Sequence, residues 1–265
     1  MTAQGASQKI ATRLYLAERL FAEATIGLDH GRSHFLRSVL RLSRGAPLSV
    51  FNEQDGEWLA RIDGLGKGWC SLIVESQRRP PAPESDLWLV FAPIKRARLD
   101  FLIEKATELG CSRLQPVFTR HTDVSRINLE RLRANAREAA EQCERLTLPE
   151  VCESVSFDAF LADWPRERRL LICAESGPAT AIAEVVAGDD DLSCGWAVMC
   201  GPEGGYAESE LDALRQLPFA RMVSLGPRIL RADTAALMAL GCWQAWRGER
   251  QGRPFGRTGN SGSGA

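Results

Sequence analysis

The chain has 265 residues, 45% apolar and 25% charged, and its 33 Lys and Arg nearly balance 34 Asp and Glu, for a formal net charge of −1. This composition fits an ordinary folded protein of one or two domains and excludes disordered, collagen-like and bulk-cationic nucleic-acid-binding chains. No run approaches the roughly 18 apolar residues of a membrane helix, and the stretch up to Ile10 is polar, without the apolar core of a signal peptide.

Residues 1–75 read as a small β-rich barrel or sandwich domain with one helix. Arg13 and Tyr15 lie on its first strand. From His30 to Arg44 the chain carries four arginines and two histidines and no acid. Ser33 is placed to cap a helix there, with Leu36, Val39 and Leu40 on one face and Arg37, Arg41 and Arg44 on another. With Arg32, such a stripe can track phosphates; the plainer meaning is a solvated face. Pro47–Asn52 and Glu57–Ile62 flank an Asp55-Gly56 turn, a strong hairpin signal, and Trp69–Val74 is a further strand. Residues 76–86, with three prolines in four positions, read as a linker.

Residues 87–247 read as a second domain of alternating strands and helices. The expected strands are Leu87–Pro93, Leu114–Phe118, Arg169–Ala174, Trp196–Cys200 and Arg221–Leu225. The expected helices follow Pro93 up to a stop at Gly110, then span Leu129–Arg145, Ala179–Val186, Glu208–Leu217 and Thr234–Trp246. This alternation implies an α/β fold with a mainly parallel sheet, which binds ligands beyond the carboxyl ends of its strands. The Gly, Ser and Arg-rich tail, 248–265, is expected to be disordered. Eight cysteines are scattered singly without a C-x-x-C, and Cys173, Cys200 and Cys242 sit in apolar runs. They read as buried free thiols of a cytoplasmic protein, and neither a disulfide framework nor a metal site is expected.

Two strand ends carry the chemistry. Trp196–Cys200 runs into Gly201-Pro202-Glu203-Gly204-Gly205 and then a helix. Glycines permit φ > 0 and close approach of a ligand to the backbone, and the helix behind presents unpaired N–H groups. The loop matches neither a P-loop nor G-x-G-x-x-G. The next strand runs into Gly226-Pro227-Arg228-Ile229-Leu230-Arg231, with Asp233 placed to cap the helix beginning at Thr234. Apolar side chains beside backbone donors suit a flat, polar-edged ring such as adenine. Lys95, Arg96 and Arg98, and Arg120 and His121, follow earlier strands on the same side, where they can line the path of RNA or simply solvate loops. On the helix Leu129–Arg145, Glu138, Gln142 and Arg145 share a face; Gln142 and Arg145 can read RNA or pair within the protein.

Four motifs occur in order: Glu104-Lys105-Ala106-Thr107-Glu108-Leu109-Gly110, Glu138-Ala139-Ala140-Glu141-Gln142, the loop Gly201–Gly205, and Ser224–Ala235. In these, and over the span from Arg13 to about Trp246, the chain resembles the RsmE-type 16S rRNA uridine-N3 methyltransferases of the SPOUT trefoil-knot superfamily. The resemblance implies a PUA-like RNA-binding barrel followed by an α/β domain whose last helix is threaded through a loop. It implies a homodimer with each site near the subunit interface, acting on 16S rRNA or the small ribosomal subunit. It also implies S-adenosylmethionine held by Cys173, Ala174, Cys200, Gly201, Pro202, Glu203, Gly204, Gly205, Leu225, Gly226, Ile229 and Leu230. Arg13 falls on the family's N-terminal Arg-aromatic pattern as an RNA contact. Three positions depart from the family: Glu144 where glycine is frequent, Ala207 where Ser or Thr often caps a helix, and Asp233 where Glu is usual.

Methylating N3 of uracil requires loss of its proton and in-line approach to the donor methyl. Arg228 and Arg231 are the candidates for stabilising the imide anion, and Glu203 is the candidate base or loop brace. Competing readings are a knot methyltransferase acting on another RNA or a ribose 2′-OH, a non-catalytic RNA-binding assembly factor, and a flavodoxin-like nucleotide enzyme.

Overall fold

The computed structural model describes residues 10–248 apart from 176, 190, 192 and 193, so the polar start and nearly all of the expected tail lie outside the described residues. Two units divide the chain. One takes it up to Pro83 together with Ala140–Thr147; the other takes Glu84–Ala139 and the chain from Leu148 on.

The first unit is a curled, mixed five-stranded sheet built on β1 (Arg13–Tyr15), β2 (Thr25–Leu28), β3 (Pro47–Asn52), β4 (Gly56–Gly66) and β5 (Trp69–Arg79), in the order β1-β3-β4-β5-β2. Alternating side chains Leu48, Val50, Ile62, Leu72 and Val74 point inward with Leu14, Leu16 and Leu36. The Asp55-Gly56 turn forms as expected. Gly56 has φ +77°, and a Cβ there would lie 2.2 Å from the Arg79 carbonyl oxygen. Strand β5 runs four residues into the stretch expected as a linker, because its end pairs with Glu57.

The basic segment departs from expectation. Helix α1 covers only His30–His34, capped by Asp29, whose Oδ1 accepts the Arg32 N–H at 2.8 Å. Ser33 is not the cap; its hydroxyl donates to the Asp29 carbonyl at 2.7 Å. A single π-helical turn follows over Phe35–Val39. The Leu42 N–H then bonds the Leu36 carbonyl while Arg41 sits at φ +53°, a left-handed closure that stops the helix. Arg37, Arg41 and Arg44 therefore do not form one helical stripe. They are all exposed, as is Val39, which was expected on the buried face.

Arg13 is overturned as an RNA contact, because it is 2% exposed. Its guanidinium donates to the carbonyls of Ala140, Glu141 and Arg145 and pairs with Glu57 at 3.4 Å. Glu57, itself 1% exposed, also faces Arg78 and Arg79 and accepts from Ser49. Burial alone would raise the Glu57 carboxyl, but Arg13, Ser49 and Arg79 outweigh it and hold the group below the usual carboxylate range.

The second unit holds strands β6 (Leu87–Phe91), β7 (Arg113–Phe118), β8 (Glu150–Val151), β9 (Val155–Ser156), β10 (Arg169–Cys173), β11 (Thr180–Ala181), β12 (Trp196–Cys200) and β13 (Ala220–Ser224). Its sheet runs β11-β13-β10-β12-β6-β7-β8, with β9 beside β7, and every pairing is parallel. Helices α2 (Arg96–Glu108), α5 (Ile182–Ala187) and α7 (Ala232–Arg247) pack through Leu102, Ile103, Val186 and Leu240 with Leu89, Phe91 and Val198. On the other face, α4 (Phe157–Ala162) and α6 (Glu208–Arg215) cover Val90, Ile172, Ala197 and Met199. Burial on both faces is why β6, β10 and β12 read as unbroken apolar runs. Helix α3 (Leu129–Cys143) ends two residues short of expectation, at Glu144, whose φ is +67°. Helix α7 begins at Ala232, so Asp233 lies in its first turn and is not the cap. The short elements α4, β8, β9 and β11 had no legible sequence signal.

Candidate active site

Strand register sets up the site. Cys173 of β10 is level with Cys200 of β12 and Val223 of β13, and Cys200 is level with Phe91 of β6. The loops leaving these four strands therefore emerge side by side at the carboxyl edge of the sheet, where parallel α/β sheets bind ligands.

Three of those loops enclose a cavity of about 470 Å³. Of the residues expected around the donor, Cys173, Ala174, Cys200, Gly201, Pro202, Gly204, Gly205, Leu225, Gly226, Ile229 and Leu230 all line it. Glu203 does not; its side chain turns to a neighbouring basin. The glycines have separate reasons. Gly205 and Gly226 hold φ +69° and +103°. A Cβ on Gly201 would lie 3.0 Å from the Tyr206 ring, and one on Gly204 would lie 3.2 Å from His121 Cβ. Apart from Glu175 and Arg228 the cavity wall is uncharged. The Cys173 contact and burial raise the Cys200 thiol well above its ordinary value, and burial likewise raises the Tyr206 phenol.

A buried carboxylate sits at the start of the helix behind the loop. Ala207 supplies no capping oxygen, and its N–H is taken by Glu210 Oε2 at 2.9 Å, while Glu210 Oε1 accepts the Arg120 N–H at 2.8 Å. One buried carboxylate thus takes the N–H of the cap residue and ties the loop after β7 to α6, while the side-chain cap itself is absent.

The adjoining basin, about 340 Å³, is lined by Lys95, Arg98, Glu175, Glu203, Ile229, Leu230, Arg231 and Ala232. The structure thus separates the residues expected to act in catalysis. Arg231 and Glu203 face this basin, whereas Arg228 lines the cavity. Arg98 stands 3.7 Å from Asp233, whose Oδ1 is buried without a hydrogen-bond partner. Glu175 and Tyr206 were missed in the sequence; Glu175 follows the β10 strand end, the one signal that could have marked it.

Of the residues expected at RNA, Arg32 is half-buried, and Arg37, Arg41, Arg44, Lys95, Arg120 and Gln142 are exposed. Arg145 is half-buried and donates to the Thr147 hydroxyl at 2.9 Å. Among the described residues no cluster of three or more metal-ligating side chains occurs, and no helix is long and apolar enough to cross a membrane.

Residues 80–244 match the sequence profile of the RNA methyltransferase domain. The ribosomal RNA small subunit methyltransferase E of Rickettsia conorii is 34% identical over 235 residues, covering 86% of this chain and 93% of that protein. The chain belongs to this methyltransferase family. The Synechocystis protein of the same name is 32% identical, over 87% of this chain and 76% of its own length. The crystal structure of the Neisseria gonorrhoeae member, solved bound to S-adenosyl methionine, superposes with a TM-score of 0.80 at 27% identity, over 91% of this chain and 99% of that one. The fold class expected from sequence, a small barrel-like domain before a SPOUT-type α/β domain, is therefore the one found.

Proposed function

We propose that this protein transfers a methyl group from S-adenosylmethionine to N3 of a specific uridine in 16S rRNA of the small ribosomal subunit. The observation that carries the reading is the cavity at the ends of β10, β12 and β13, formed by both glycine loops in a chain of this family. The donor occupies that cavity, against the backbone of Gly201–Gly205 and Leu225–Leu230. The donor supplies the methyl; the chain's residues position it and exclude water. Arg231, in the adjoining basin, stabilises negative charge developing on the uracil carbonyls, and Arg228 positions donor or phosphate.

RNA is gripped locally, since the net charge is −1. Arg32, Arg37, Arg41 and Arg44 of the barrel domain, with Lys95, Arg120, Gln142 and Arg145, are the assigned contacts. A homodimer in the cytoplasm completes the reading. Phe101 of α2 and Met238 and Trp246 of α7 are exposed apolar side chains that a second copy would cover.

Calorimetry with S-adenosylmethionine should show one site per chain. Mass-spectrometric mapping of 16S rRNA from a deletion strain should show one methyluridine missing. Arg231→Ala should lose most turnover and keep donor affinity. Absence of donor binding, or an unchanged rRNA map, would defeat the proposal.

A further inference from the structure

The cavity and the basin share a wall made of Glu175, Ile229, Leu230 and Ala232. Only one ionisable side chain among the described residues lines both spaces, and it is Glu175. Glu203, Lys95, Arg98 and Arg231 line the basin alone, and Arg228 lines the cavity alone. We propose that the basin is the pocket for the acceptor nucleobase and that Glu175 takes the proton from its N3. This rests on the reading above and deepens it.

The lining has the chemistry of an imide site. Uracil presents flat apolar faces, and its N3–H lies between two carbonyl acceptors. Ile229 and Leu230 offer an apolar strip, Lys95, Arg98 and Arg231 offer cations for the carbonyl oxygens, and Glu175 and Glu203 offer carboxylates for the N–H. Among the described residues, Lys95, Glu175, Glu203 and Arg231 make no ion pair and no side-chain hydrogen bond. Four charged groups of both signs around one concave space, none paired with another, leave their valences to a ligand. Arg98, by contrast, is held near Asp233.

The shared wall decides between the two carboxylates. Displacement at a sulfonium carbon requires sulfur, carbon and nitrogen in line, so donor and acceptor meet where the two spaces join. A base must reach the N3 proton at that junction, and Glu175 is the carboxylate there. The step balances. The Glu175 carboxylate takes the N3 proton, and the nitrogen lone pair forms the new N–C bond. The C–S bond breaks and its electron pair goes to sulfur, leaving a neutral thioether. The carboxylic acid then returns its proton to water. The three cations lower the basicity of the imide anion, which brings its proton within reach of a carboxylate.

The test uses the full chain, S-adenosylmethionine labelled in its methyl group, and small ribosomal subunits from the deletion strain. Glu175→Gln should slow single-turnover transfer by about 10²–10³-fold. It should change donor affinity by no more than about threefold, keep the melting temperature and remove the acid limb of the pH–rate profile, and Glu175→Asp should restore part of the rate and the limb. The assignment is overturned if Glu175→Gln retains the wild-type rate, or if saturating donor restores its rate, which would make Glu175 a donor-binding residue. It is also overturned if Glu203→Gln, and not Glu175→Gln, loses the acid limb. Wild-type protein that binds no donor would instead bring down the parent reading.

Discussion

Replacing Glu57 with Gln keeps the shape of the side chain and removes its charge from the interior of the first unit. Three arginines face the carboxylate, but they are not equally stranded by its loss. Arg78 and Arg79 are 12% and 21% exposed and can turn toward water, whereas Arg13, at 2%, cannot. Breaking a buried pair by removing one partner destabilises by about 3–5 kcal/mol. Arg13 retains three carbonyl acceptors, which places the expected loss near 3 kcal/mol. With a urea m-value of about 1.5 kcal/mol/M for a unit of this size, the midpoint should fall by about 2 M. Urea titration followed by circular dichroism measures this, and a midpoint within about 0.3 M of wild type would refute the reasoning. Acid should imitate the substitution. The Glu57 pKa is lowered on folding, so its stabilisation is full above the ordinary carboxylate range, near pH 4–5, and is lost as pH falls toward the folded value. The part of the acid sensitivity that comes from Glu57 should vanish in an Arg13→Met, Glu57→Leu double variant, which leaves there only Arg78 and Arg79, both able to turn toward water.

Other residues give independent checks. Glu144→Gly relieves a left-handed residue, offset in part by added freedom of the unfolded chain; stability should rise by about 0.5–1 kcal/mol, read as a higher urea midpoint. Ala207→Ser adds the absent cap to α6 and should raise stability by about 1 kcal/mol, provided Glu210 keeps its bond to the same backbone N–H. Gly201→Ala drives a methyl against the Tyr206 ring, so the cavity wall must shift, and calorimetry should show donor affinity about tenfold weaker, or about 1.4 kcal/mol. An unchanged affinity would mean that the ring yields without narrowing the cavity.

The local elements and the ligand-bearing loops were legible along the chain. Apolar runs at Leu87–Phe91 and Trp196–Cys200 suit strands covered on both faces, and glycines at Gly205 and Gly226 mark backbone that other residues adopt poorly. Such signals lie within a few neighbouring residues, so they survive in one dimension. What depends on distant neighbours did not. Arg13 looked like a surface cation because nothing near it in the chain says that Glu57 and the carbonyls of Ala140 and Arg145 enclose it. The arginines of the basic segment looked like a helical stripe until the closure at Arg41 broke the helix. Glu203 and Glu175 are indistinguishable as exposed loop glutamates. Only the register of β10, β12 and β13 places Glu175 on the wall between two cavities and Glu203 outside it, because a parallel sheet aligns loops that are far apart along the chain.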